Sequence, residues 1–210
     1  MALAYPLLPA RSPPLCPDCA TGNSLQGLTM LRAVAYHEGA LRDAIHALKY
    51  QRRRRVARPL GDLLAHHLQK WAVSADVVVP VPLHTDRRRQ RGFNQAELLA
   101  RRCADQLGVL YLPKALVRSR PTRPQVGLSA EERRANVAQA FVPGRQATVS
   151  RLAGKRIVLI DDVTTTGSTL SAAAVVLASL HPEAVFGVAL ARPVPAWLPT
   201  THVMWPEVPD

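Results

Sequence analysis

Apolar residues recur at helical spacing in two early stretches: Leu41, Ile45 and Leu48 within Glu38 to Tyr50, then Leu60, Leu63, Leu64, Leu68 and Trp71 beyond an arginine run. Steps of three and four put each set on one helix face, which predicts two amphipathic helices. Val77 to Val81 is instead a continuous apolar run bounded by Pro80 and Pro82, the pattern of a short strand buried on both faces. A loop over Pro82 to Arg91 follows. Gln95 to Leu107 then reads as a helix with Leu98, Leu99, Cys103 and Leu107 inward and Gly108 at its stop. Ala115 to Arg118 has the makings of a weak strand, and Ser119 to Gly127 is basic and broken by proline. Ser129 with Glu132 forms a capping box, which predicts a helix to about Gln139. Ile157 to Ile160 repeats the buried-strand pattern, Gly167 to Leu180 is an alanine- and valine-rich helix, and Ala184 to Leu190 is a third strand. This alternation predicts an α/β fold, a parallel sheet flanked by helices on both faces with ligands beyond the carboxyl ends of the strands. Residues 1–35, rich in proline and weakly periodic, read as a short N-terminal appendage to a domain over 36–193, with a C-terminal tail at 194–210.

The length, 210 residues with 48% hydrophobic content, suits one domain with a real core. No apolar run approaches the roughly 18 to 20 residues that span a bilayer, so membrane insertion is not expected and a cytoplasmic location is. Three cysteines make no disulfide framework. Cys16 and Cys19 have the spacing of a zinc knuckle or redox pair, but tetrahedral zinc takes four ligands, so a zinc site here needs a second pair, such as one from a homodimer partner. The net charge of +12 comes from clusters at Arg52, Arg53, Arg54 and Arg55, at Arg87, Arg88, Arg89 and Arg91, at Arg101-Arg102, from Arg118 to Arg123 and at Arg133-Arg134. Such clusters attract phosphate-bearing small molecules, nucleic acid, or both.

The chemistry concentrates after the strand Ile157 to Ile160. Asp161 and Asp162 come first, then Val163, then the hydroxyl-rich turn Thr164, Thr165, Thr166, Gly167, Ser168 and Thr169, which opens a helix. Amide groups at a helix start lie at the positive end of its dipole and can surround a monoester phosphate, the glycine permits close approach, and the threonine hydroxyls add donors. Two carboxylates beside them can accept hydrogen bonds from vicinal sugar hydroxyls. The Walker B strand of nucleotide hydrolases also ends in acids, but the phosphate loop it works with is missing here, because Gly154-Lys155 has no glycine five positions earlier.

The segment Val158 to Thr169 resembles the signature of type I phosphoribosyltransferases. Further blocks, Val79-Pro80-Val81-Pro82-Leu83-His84, Arg91-Gly92-Phe93-Asn94-Gln95, Gln125 to Ser129, Glu132-Arg133, Asn136-Val137 and Ala140-Phe141, resemble the ComF (competence protein F) family over roughly Tyr36 to Pro193. The resemblance implies a type I phosphoribosyltransferase fold that binds 5-phosphoribosyl 1-pyrophosphate (PRPP) with magnesium and transfers the phosphoribosyl group to a nitrogen acceptor. It implies catalytic roles for Asp161 and Asp162 at the ribose, and PRPP contacts from Val163 and Thr164 to Thr169. It also implies a pyrophosphate loop with Pro82, Leu83, Arg87, Arg91 and Asn94, and a flexible hood around 118–136 that excludes water. ComF-like chains commonly begin with two cysteine pairs; this one has a single pair. The family's link to natural transformation suggests partners among single-stranded DNA and competence proteins, with Arg52, Arg53, Arg54, Arg55, Arg88 and Arg89 as the contact residues. A PRPP-responsive DNA-binding factor without turnover is the alternative that the same resemblance allows.

Overall fold

The computed structural model describes residues 26–120 and 139–194. A five-stranded sheet runs through the molecule: β1 (Met30–Tyr36), β2 (Val77–Pro80), β3 (Leu110–Tyr111), β6 (Arg156–Val163) and β7 (Ala184–Arg192), in the spatial order β1-β7-β6-β2-β3. Every pairing in it is parallel. β4 (Leu116–Arg118) and β5 (Phe141–Pro143) form a separate antiparallel ribbon.

Successive side chains of a strand point to opposite faces, and the core divides accordingly. Val78, Val158, Ile160, Val188 and Leu190 pack with α1 (Gly39–Tyr50), α2 (Ala57–Lys70) and α4 (Gln95–Leu107). Val77, Val79, Ile157, Leu159 and Val185 pack with α6 (Ser168–Ala178) and the inward residues of the ribbon, Leu116 and Phe141. Leu48, Leu64, Leu99 and Leu159 are fully buried, each such side chain contributing about 1.5–3 kcal/mol. Among the described residues no helix is long and apolar enough to cross a membrane.

The parallel α/β reading and the helices read over Glu38 to Tyr50, Leu60 to Trp71, Gln95 to Leu107 and Gly167 to Leu180 are borne out; the helix read from Ser129 to about Gln139 lies outside the described residues. Two local readings differ. Met30–Tyr36, inside the stretch read as an appendage, is an edge strand hydrogen-bonded to β7, with Leu31 opposite Gly187 and Ala33 opposite Ala189. Its pattern is weak because every residue is only half-buried and Arg32 sits mid-strand, where its guanidinium covers Trp71 at 5.3 Å. The chain just ahead is docked as well: Ser171 Oγ donates to the Gln26 carbonyl at 2.7 Å, and Gly27, at φ +75°, lies so close to α6 that a Cβ there would stand 2.6 Å from Val175 N. Second, the loop read over Pro82 to Arg91 contains a short helix, α3 (Thr85–Arg91), capped by His84 and ended by left-handed Gly92. It buries no residue, so it carries no apolar periodicity. β3, β5 and the one-turn α5 (Val149–Leu152) are likewise too short to show a pattern.

β2 and β6 are clamped together at their amino ends. Asp76 Oδ2 accepts from Arg156 N at 2.8 Å and Nε at 3.1 Å, and these hydrogen bonds lower the Asp76 carboxyl to about 2. A depressed carboxyl adds stability that is present above its unfolded value of about 3.9 and is lost as pH falls through its folded value. Asp76→Asn therefore lowers the melting temperature at pH 7, and the gap to wild type closes as pH falls from about 5 towards 2, as thermal melts across that range will show.

Candidate functional site

β2 and β6 are neighbours whose connections diverge. β2 continues through α4 on one face to β3, and β6 continues through α6 on the other face to β7. Such a switch point opens a crevice at the carboxyl ends of the two strands. A cleft of about 200 Å³ lies there, walled by Val81, Pro82, Leu83, Arg87 and Arg91 from the β2 side and by Asp161, Asp162, Val163 and Thr169 from the β6 side.

The two carboxylates are adjacent in β6 and meet charges from opposite layers. Asp162, 3% exposed, receives Lys49 Nζ from the last turn of α1 at 2.9 Å on Oδ1; its Oδ2 is buried without a partner among the described residues. Asp161 is half-buried, and its Oδ1 accepts from Asp162 N at 2.8 Å. Burial first, and then the neighbouring Asp162 charge, push the Asp161 carboxyl up; the Asp162 amide, Lys49 and Arg118 act in the other direction. Arg118, at the end of β4, is 8% exposed with its guanidinium over the Phe141 ring at 5.3 Å. Burial lowers its basicity, Asp161 restores part of it, and Arg87 adds like charge. His37 stands beside the Lys49–Asp162 pair; burial and Lys49 keep its imidazole low, against the pull of Asp162.

The hydroxyl-rich turn lies at the start of α6. Thr164 N donates to the Ala191 carbonyl at 2.9 Å, closing β6 onto β7, and Thr165 is exposed. Gly167 adopts φ +79°, a conformation that side chains resist, and swings the chain into the helix. The Thr166 and Ser168 hydroxyls are 2.6 Å apart, and Ser168 N reaches Thr166 Oγ1 at 3.4 Å.

On the β2 side, Asn94 is 1% exposed and both ends of its amide are engaged: Nδ2 donates to the Val81 carbonyl at 2.9 Å and Oδ1 accepts from Ala96 N at 3.1 Å. It caps α4 and holds the loop after β2 in place. Arg91 donates to Gln95 Oε1 at 2.7 Å and lies over the Tyr50 ring at 5.5 Å. His84 accepts from Asp86 N at 3.4 Å as the cap of α3.

The arginines read as nucleic-acid contacts are all exposed, and some of them are engaged. Arg52, Arg53 and Arg55 are exposed, as is Arg89, 3.9 Å from Asp86. Arg54 reaches the Gly92 carbonyl at 3.3 Å and covers Phe93 at 4.8 Å, while Arg88 pairs with Glu97 at 2.6 Å. Cys16, Cys19, the blocks from Gln125 to Val137, most of the hood and the tail beyond Val194 lie outside the described residues. Lys49 and Arg118 were not found from sequence as site residues. A lysine ending an amphipathic helix and an arginine in a basic run carry no local sign that the fold aims them at Asp162 and Asp161.

A parallel sheet with a cleft at its switch point, walled on one side by an acid pair and the threonine that ends a hydroxyl-rich turn, suits the phosphoribosyltransferase class. A family model described as "Phosphoribosyl transferase domain" matches residues 90–200, and the chain belongs to that family. Within it, the chain is a member of the ComF group. It is 37% identical to Competence protein F of Haemophilus influenzae over 56% of this chain and 50% of that protein, so the match spans only half of that relative. It is 33% identical to DNA utilization protein YhgH of Escherichia coli K12 over 75% of this chain and 74% of that protein. The glutamine PRPP amidotransferase of B. subtilis, solved with ADP and GMP, aligns with a TM-score of 0.42 and 22% identity over 63% of this chain and 26% of that one.

Asn94→Ala removes a helix cap and leaves the Val81 carbonyl without its donor. It lowers unfolding free energy by about 1–3 kcal/mol, a loss that urea titration will measure.

Proposed function

We propose that this cleft binds PRPP and that the domain transfers the phosphoribosyl group to a nitrogen acceptor. The observation that supports the reading is the division of the cleft: Asp161, Asp162 and Thr169, the last residue of the hydroxyl-rich turn, on one wall, Arg87 and Arg91 with Pro82 and Leu83 on the other. The turn at the start of α6 suits a 5-phosphate, Asp161 suits the ribose hydroxyls, and the arginine wall suits a diphosphate.

In the transfer, the bond from the anomeric carbon to pyrophosphate breaks with its electron pair on oxygen, and the lone pair of the acceptor nitrogen forms the new bond as the nitrogen gives up a proton. Arg87 and Arg91 stabilise the charge on the leaving diphosphate, and Asp161 stabilises the cationic sugar. The Asp161 carboxyl is ionised more readily beside that cation than in the empty cleft, where burial opposes its charge. Asn94 keeps the diphosphate wall in register through Val81.

Among the described residues no cluster of three or more His, Cys, Asp or Glu side chains makes a metal cage. Magnesium nevertheless fits the donor set, because it is ordinarily held by one or two carboxylates together with phosphate oxygens; Asp161 is the carboxylate at hand. When bound it would neutralise diphosphate charge. The same reading places the protein in the cytoplasm, where PRPP is made and used.

Titration calorimetry with PRPP and magnesium tests the binding step. Asp161→Asn weakens affinity by about 10- to 100-fold with the fold intact; unchanged affinity would refute the assignment. Pyrophosphate release, assayed over nucleobases, amines and ammonia, tests turnover, and silence across the panel despite tight binding removes the transferase step.

A second reading, a PRPP-responsive factor that binds single-stranded DNA in natural transformation, is favoured by the exposure of Arg52, Arg53, Arg55 and Arg89 and by the names of the competence and DNA-utilization relatives. Tyr50, 65% exposed, is an aromatic close to Arg52 in the chain and under Arg91 in space. Affinity for an oligonucleotide then falls with salt by about 0.7 log units per log unit for each phosphate contacted, and charge reversal at these four arginines flattens the slope. A flat slope in the wild type removes the DNA reading.

A further inference from the structure

Two basic runs that lie far apart in the sequence meet beside the cleft. Arg52 adopts φ +55°, a left-handed conformation that side chains resist, and turns the chain out of α1; Arg53 N closes the turn on the Ala47 carbonyl at 3.3 Å. Arg54 then reaches the end of α3, where it donates to the Gly92 carbonyl at 3.3 Å and covers the Phe93 ring at 4.8 Å. From the other direction Arg91, the last residue of α3, covers the ring of Tyr50, the last residue of α1, at 5.5 Å. The ends of the two helices are therefore tied at two points, and Arg52, Arg53 and Arg55 stand exposed on the segment that carries one of them. Tyr50 and Arg91 both line the cleft, and Tyr50 is 65% exposed.

We infer that a single-stranded nucleic acid held by Arg52, Arg53 and Arg55 crosses Tyr50 and Arg91, and that its binding and that of PRPP are mutually exclusive. The inference rests on both readings above, the sugar-diphosphate cleft and the strand-binding arginines. A single strand fits these residues because its phosphates repeat along its length and its unpaired bases can stack on an exposed tyrosine. Arg91 is the residue the two ligands share. Gln95 and Tyr50 fix its guanidinium in one place, so whichever anion takes it leaves the other facing uncompensated negative charge. By linkage each ligand lowers the affinity of the other by the same factor, and PRPP releases the strand instead of recruiting it.

The test is fluorescence anisotropy of a labelled oligothymidylate with the full chain, titrated with PRPP and magnesium at constant ionic strength against a control of magnesium chloride alone. The apparent oligonucleotide Kd rises in proportion to PRPP without a plateau, by about tenfold when PRPP stands at about ten times its own calorimetric Kd. Tyr50→Ala weakens the oligonucleotide about tenfold. Arg52→Gly removes a charge together with the left-handed penalty, so it weakens the oligonucleotide with no fall in melting temperature and with PRPP affinity kept. An oligonucleotide Kd that saturating PRPP leaves unmoved, or raises only to a plateau, overturns the inference and leaves both readings standing. So does wild-type oligonucleotide affinity in Tyr50→Ala and Arg52→Gly. A wild-type chain that binds PRPP and no oligonucleotide overturns the strand-binding reading, one that binds oligonucleotide and no PRPP overturns the cleft reading, and either result takes this inference with it.

Discussion

The parallel pairing of β2 with β6 is the constraint on which the rest of the molecule depends. Val77 lies opposite Ile157 and Pro80 opposite Ile160, and Asp76 and Arg156 lock the register at the amino ends. Because the chain leaves β2 and β6 towards opposite faces, a cleft opens at the carboxyl ends of this pair. A slip of one residue would exchange the inward and outward sets of the whole strand, so the hydrophobic registration that builds the two half-cores also aims Asp161 and Asp162.

At that opening the protein holds buried charge of both signs, Asp162 and Arg118 among them. Two successive carboxylates at the end of a buried strand are costly, and the rise of the Asp161 carboxyl is the sign of that cost. The fold offsets it with cations brought from separate layers, Lys49 from α1 and Arg118 from β4, since neighbouring residues of a strand face opposite ways. On the function proposed above, the charges of such a cleft are in place before the ligand arrives, as electrostatic preorganisation requires.

The large positive charge of the chain is not one surface with one role. Arg88, Arg102 and Arg156 are tied to acids, Arg32 and Arg54 lie on aromatic rings, Arg87, Arg91 and Arg118 wall the cleft, and others, such as Arg52, Arg53 and Arg55, are exposed. Arginine serves all of these because its planar group can stack, bridge and remain charged in partial burial.

The sequence by itself determined what depends on neighbouring positions along the chain. The strands Val77 to Val81, Ile157 to Ile160 and Ala184 to Leu190, the helices with a long apolar stripe, and the acid pair with its hydroxyl-rich turn could all be read from spacing and residue type, and the motif blocks were enough for the family. The edge strand Met30–Tyr36 and the charged helix Thr85–Arg91 were not legible, the one because it is half-buried throughout and the other because it buries nothing, so neither leaves a periodic trace. Only the tertiary structure decided that Asn94 holds the loop after β2, that Lys49 meets Asp162 and that Arg118 stands beside Asp161. These contacts join residues far apart in the chain, and a side chain's partner across such a distance is set by which layer and which strand end the fold brings it to, information that no local pattern carries.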